Sequence, residues 1–248
     1  MATFVKHASA DALAYEAAGL RWLAEADPDA VVGVVSVDEN SLVTERLESV
    51  ATSDGAAAEF AERLVRVHDA GADSFGCPPA DWSGDGYVGA ARLTLRGEPR
   101  WGRMYADQRM LPYAHQAHRQ GLLDNDQLRT VERLADRLRD GDFDDDAPPA
   151  RIHGDLWAGN VITTEHGMVM IDPAAQGGHR LNDLALLALF GFPQLRTVHD
   201  GYARHSHHLP DDWRDLIDLH QVHHLLVHVV LFGSSYVPPT MAAIGRYV

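Results

Sequence analysis

Apolar positions recur along this chain with two different periods, and the switches between them mark out its elements. Residues 3–7, Thr-Phe-Val-Lys-His, read as a short strand carrying one lysine. Over residues 11–26 the period lengthens: Leu13, Ala17, Leu20 and Ala24 share one helical stripe, with Asp11 as the expected N-cap. Residues 31–37 and 42–47 are apolar, β-branched runs, and Asp38-Glu39-Asn40-Ser41 between them predicts a hairpin-like turn. Beyond Ser53 helical periodicity dominates, over residues 55–70, 102–120 and 124–140. The Gly- and Pro-rich stretch 71–99 reads mainly as loop. Residues 140–146, with Pro148-Pro149, predict an acidic turn into an apolar strand. Further helices are expected over 182–190, 195–205 and 212–232, and a last one near 240–247. No internal repeat or low-complexity linker divides the chain, so it should behave as one unit.

Composition narrows the class. A chain of 248 residues can bury one or two cores, and 46% hydrophobic residues is ordinary for a globular protein. No apolar run approaches membrane-spanning length, and Met-Ala-Thr-Phe-Val-Lys lacks the basic region and apolar core of a secretory signal. Cys77 is the single cysteine, which excludes an internal disulfide and fits a reducing compartment, so a cytoplasmic location is expected. The net charge is −15, with 36 acidic residues against 21 Lys plus Arg. Such a surface repels nucleic acid and anionic membranes, and neither is expected as a partner. The 15 histidines could offset part of that charge below neutral pH.

One segment carries chemistry. Arg151-Ile152-His153-Gly154-Asp155-Leu156-Trp157-Ala158-Gly159-Asn160 is followed by Ile171-Asp172-Pro173, where the aspartate closes a short apolar strand. Kinase-type phosphoryl transfer needs these parts: a carboxylate to orient the attacking hydroxyl, and an amide oxygen and a carboxylate to hold Mg²⁺ on the phosphates. Asp155 suits the first role, and Asn160 and Asp172 offer the hard oxygens Mg²⁺ prefers. Taken singly, each would pass as a turn or cap residue; their order is the specific signal. A bare nucleotide would be repelled by the acidic surface, so the reading requires a Mg²⁺–nucleotide complex and local basic residues. His220, His224 and His228 recur every four residues, a zinc-like spacing, but no Cys or acidic partner accompanies them. Gly84-Asp85-Gly86 and Gly177-Gly178 lack the strand-to-helix context of a phosphate loop.

The motifs HGDLWAGN, IDPAAQGGHRLNDLALLALFG and LHQVHHLLVHVVLFGSSYV together resemble the fructosamine kinase (ketosamine-3-kinase) family, within the wider aminoglycoside-phosphotransferase and protein-kinase-like fold. The resemblance runs in order from Phe4 to the C-terminus. It implies an α/β (α+β) two-lobed architecture, with a reduced N-lobe over residues 1–47 and a mostly helical C-lobe over 48–248. It also implies ATP-dependent phosphorylation of a ketosamine, free or on a glycated protein, at the 3-hydroxyl, in glycation repair or glycated-amine metabolism. Asp155 would be catalytic, and Asn160 and Asp172 would hold Mg²⁺. Lys6 would contact nucleotide phosphate with Glu16 holding its ammonium, although an exposed Glu and a snorkelling Lys have the same sequence signature. Glu45 and Leu47 fall at the lobe hinge, where backbone groups bond adenine. Trp157 would wall the sugar-amine site or pack in the core, and His179, Arg180, His224 and His228 are further substrate candidates. Asp183 is expected to cap the helix that follows it. The alternatives are an aminoglycoside- or choline-type phosphotransferase, or a pseudokinase that binds without transfer. In the family the lysine strand follows two others whose loop covers the phosphates. Only five residues precede Lys6, so an open phosphate side and slow turnover are expected unless another segment closes it.

Overall fold

The computed structural model describes residues 2–248. β1 (Thr3–Lys6), α1 (Ala10–Ala24), β2 (Val34–Val37) and β3 (Leu42–Glu45) form a small antiparallel sheet of order β1-β3-β2 with α1 packed beside it. Lys6 pairs with Leu42 at the inner end of β1, which aims the lysine at the rest of the molecule. Ser9, not Asp11, takes the cap position of α1, and no side chain closes that end; Asp11 lies inside the first turn, where its charge suits the helix dipole. β2 starts later than the apolar run because Val31 and Val32 have another partner. Val31 bridges to Met170, and the Val32 N–H donates to Met170 O at 3.0 Å.

The remaining chain is mainly helical. α2 (Asp54–Asp69) is capped by Ser53, which accepts the Ala56 N–H at 3.2 Å. The stretch expected as loop contains a hairpin, β4 (Gly86–Val88) and β5 (Ala91–Leu93). A Cβ at Gly86 would lie 2.4 Å from the Tyr15 ring, so glycine lets this hairpin close onto α1. The expected helix 102–120 is broken into α3 (Trp101–Met104), a π-helical turn Tyr105–Met110 and α4 (Leu111–Arg119). Pro112 gives the reason: it has no N–H for the carbonyl four residues back and would clash with it, and the wider turn absorbs the misfit. α5 (Asn125–Asp140) opens with a reciprocal capping box of Asp124 and Gln127.

β6 (Ala150–Ile152) pairs antiparallel with β9 (Gln176–Gly178), and β7 (Val161–Thr164) with β8 (Gly167–Met170). These strands present the chemistry-bearing loops. α6 (Leu181–Leu189), α7 (Leu195–His205), α8 (Ile217–Phe232) and α9 (Val237–Ile244) complete the body. One apolar core joins Leu13, Leu20 and Leu42 to Phe60, Leu64, Met170 and Leu184, so packing is continuous across residue 47. A second, holding Tyr105, Met110, Leu134, Leu226 and Ile244, lies beneath the helices. Among the described residues no helix is long and apolar enough to cross a membrane.

Candidate active site

β6 delivers His153-Gly154-Asp155 into a tight turn that few sequences could make. Gly154 has φ +80°, and a Cβ there would lie 2.2 Å from Ala174 O. The turn is pinned from several sides. The His153 and Gly154 N–H groups donate to the two carboxylate oxygens of Asp183, at 2.7 and 2.9 Å. His224 Nε2 donates to Gly154 O at 2.9 Å, and the Asp155 N–H donates to His153 Nδ1 at 3.2 Å. The other nitrogen of His153 donates to Ile171 O at 2.9 Å, tying this turn to the segment that leads from β8 to Asp172.

The Asp155 carboxylate is therefore held from behind and presented to a cavity. Burial pushes its pKa up to about 6, against the opposing hydrogen bond from Asn160. Asn160 Nδ2 donates to Asp155 O at 2.8 Å and reaches Asp155 Oδ2 at 3.3 Å. That orientation leaves Asn160 Oδ1 with no protein donor among the described residues. Asp172, at φ +54°, presents a half-exposed carboxylate beside it. Two hard oxygens next to open space fit Mg²⁺, which takes oxygen ligands and retains water.

Lys6 completes the group. Its Nζ lies 2.6 Å from Glu16 Oε2 and 3.1 Å from Asp172 Oδ1. Burial works against the Lys6 charge, but Glu16 and then Asp172 outweigh it and raise the pKa above the ordinary lysine value. Burial pushes Glu16 the other way, up to about 7, despite the pull of Lys6. A cavity of about 350 Å³ opens between the small sheet and Ile171, walled by Lys6, Glu16, Val32, Leu42 and Asp172. A second, of about 410 Å³, opens from Asp155 toward Trp157, His224 and His228. Asn160 Nδ2 reaches from Asp155 to the Asp172 backbone carbonyl, 3.5 Å away, and so ties a lining residue of one cavity to a lining residue of the other.

The structure does not bring the other candidates together in the same way. Trp157 is 40% exposed at the rim of the second cavity rather than in the core. Leu47 lies at the edge of the first cavity, whereas the Glu45 side chain turns away and packs over Gly33. The Glu45 N–H is taken by Gly33 O and that of Arg46 by Ala2 O. His179 and Arg180 are buried away from both cavities. His179 Nε2 sits 3.1 Å from Asp145 with its ring against Trp101 and His220, and Arg180 pairs with Asp69 at 2.7 Å. Asp183 does not cap its helix; its carboxylate carries the turn that precedes Asp155. Behind it His68 Nε2 lies 3.1 Å from Asp183, and His68 Nδ1 lies 2.7 Å from the Tyr202 hydroxyl. His220 stacks on Trp101 at 4.5 Å, away from the face on which His224 and His228 reach the cavity. The sequence reading missed His68, which lies outside every motif, and also Phe190, Phe232 and Tyr236, which lie within the motifs but carry no charged group that marks them as chemistry-bearing.

Comparison with known proteins bears on this arrangement. A family model described as fructosamine kinase matches residues 2–248. The ketosamine-3-kinase of Mus musculus is 30% identical over 200 residues, 80% of this chain and 60% of that protein. A crystal structure from Thermobifida fusca, provisionally assigned as a fructosamine-3-kinase, is 41% identical with a TM-score of 0.91 over 99% of this chain and 85% of that one. An aminoglycoside phosphotransferase solved with streptomycin and ATP is 15% identical with a TM-score of 0.66, over 98% of this chain and 84% of that one. That likeness shows the shared kinase-like α/β fold. The chain spans 62% and 66% of the length of two bacterial ketoamine-kinase relatives that it matches.

Proposed function

The chain belongs to the fructosamine kinase family, and from that premise we propose that it transfers the γ-phosphoryl group of ATP to the 3-hydroxyl of a ketosamine. The observation that carries the reading is the link that Asn160 makes between Asp155, which lines one cavity with Trp157, His224 and His228, and Asp172, which lines the other with Lys6 and Glu16. In this reading residues 1–47 serve the nucleotide, with the backbone near Leu47 meeting the base and Lys6 a phosphate. Residues 48–248 supply the catalytic turn and the acceptor site. Asn160 and Asp172 would hold Mg²⁺, which when bound neutralises charge on the phosphates.

Asp155 orients the hydroxyl toward the γ-phosphorus and accepts its proton. The loose transition state asks mainly for positioning, which the pinned turn provides. A 3-phosphorylated ketosamine is unstable, so the product side of the reading is release of the amine, and a reducing cytoplasmic setting suits it. The test is ADP release, coupled to a reporter, with fructosamines and ribulosamines against choline and aminoglycosides. Turnover confined to the ketosamines is expected; turnover of choline or an aminoglycoside instead would overturn the reading.

A further inference from the structure

The acceptor cavity is walled by aromatic rings to a degree that sugar binding alone does not require. Trp157 meets Phe190 edge to face, with centroids 6.3 Å apart. Beyond them Phe190, Phe232 and Tyr236 surround the His228 ring at 5.0, 5.1 and 4.9 Å. Phe190 is 43% and Phe232 63% exposed. A lone exposed apolar residue needs no explanation, but a connected cluster opening onto a catalytic carboxylate does.

The charge inventory of the cavity is equally informative. Among the described residues Asp155 is the one carboxylate that lines it, and no Lys or Arg does. His228 donates Nδ1–H to His224 O at 2.7 Å, and burial lowers its pKa, so it is neutral near pH 7. A ketosamine of an alkylamine carries an amine nitrogen, protonated at neutral pH, next to its sugar. What varies is the group on that nitrogen. A free amino acid brings a carboxylate, a lysine adduct a charged or peptide-linked backbone, and a sugar phosphate a further anion. Burying any of these without a partner is costly. Aromatic faces instead attract an ammonium and bury apolar surface favourably.

We propose that the acceptor is a small-molecule ketosamine whose amine bears an uncharged, apolar group of aryl size. The ring cluster of Phe190, Phe232 and Tyr236 receives that group, and Trp157 packs on the sugar. This rests on the ketosamine-kinase reading. The chemistry is that of the proposed reaction: a bond forms between the sugar 3-oxygen and the γ-phosphorus, the bond to the oxygen of departing ADP breaks, and the hydroxyl proton leaves by way of Asp155.

The experiment compares initial rates with the 1-deoxyfructosyl adducts of phenethylamine, glycine and Nε-lysine, and with glycated albumin. The phenethylamine adduct should show at least about tenfold higher kcat/KM, mostly through KM, since tenfold corresponds to about 1.4 kcal/mol, within reach of one aromatic contact. Phe232→Ala should remove most of that advantage, lowering kcat/KM for the phenethylamine adduct far more than for the glycine adduct. Phe232 lies at the exposed rim, outside the core, and a melting curve checks that the variant is folded. Equal or better use of glycine, lysine or protein adducts, or a uniform loss in Phe232→Ala, would overturn the proposal. If no adduct turns over, the kinase reading fails, and calorimetry with the same adducts decides the pocket. Tighter binding of the phenethylamine adduct by the parent than by Phe232→Ala supports it, and no difference overturns it.

Discussion

A carbonyl oxygen can only accept, so the contact of His224 Nε2 with Gly154 O fixes the proton on Nε2. Nδ1 is then a bare acceptor, buried without a partner among the described residues, and burial lowers the ring's pKa to about 4. His224 thus acts on the peptide that precedes Asp155, as a positioning residue. His224→Leu removes the donor and should lower kcat by about 10–10²-fold with little change in KM for ATP. His224→Gln, which can donate to the same oxygen, should recover most of it. Steady-state kinetics on both variants decide, and equal activities would refute the role. Asp183 makes a related contribution to stability. Burial pushes its pKa up, but bonds from His68 and from the Gly154 N–H outweigh that and hold it below the ordinary value. A carboxyl lowered in the fold adds stability that is fully present above its unfolded pKa of about 4 and is lost as pH falls through the folded value. Asp183→Asn should therefore cost about 2–4 kcal/mol at pH 7 and less in acid. Urea unfolding between pH 7 and pH 3 measures it, and a pH-independent loss would contradict the account. None of this was legible from Asp183 alone, because its backbone partners lie 29 and 30 residues back in the chain.

Elements with a strong apolar stripe were legible: α2 and α5 fall within a residue or so of their expected bounds. The β4–β5 hairpin was not, since three-residue strands are too short to show alternation, and what fixes them is contact with Tyr15. The π turn also escaped notice, although Pro112 was a local warning. That turn carries Arg109, which is fully buried and bonded to Gln176 and to Thr94 O, with no carboxylate partner among the described residues; burial lowers its pKa to about 10. It therefore ties the helical body to β9, just beyond Asp172. The hairpin also walls the acceptor cavity through Val88 and Gly89. Gly86→Ala would press a methyl group into the Tyr15 ring, at an overpacking cost of about 1–3 kcal/mol. The displaced hairpin should raise KM for the acceptor and leave KM for ATP unchanged. A variant with parent-like acceptor KM would show that the hairpin does not shape the site.

At the scale of the molecule the site exists because the two ends of the chain meet over its middle. β1 and α1 supply Lys6 and Glu16, β6 to β8 supply Asp155, Asn160 and Asp172, and α8 supplies His224 and His228. The ordered motif made the central set readable. The turn residues His179 and Arg180 were misleading because they hold the fold together next to the motif rather than facing a ligand. With Asp155 at a pKa of about 6, the carboxylate is the dominant form at pH 7 and is protonated in acid. An acid limb in kcat near pH 6 should follow, since a protonated carboxyl cannot accept the hydroxyl proton. The most direct measurement is turnover and nucleotide affinity of Asp155→Asn, which keeps the size and removes the charge. The account predicts a fall in kcat of about 10²–10⁴-fold with calorimetric ATP affinity unchanged. Parent-like turnover by the purified, folded variant would contradict it.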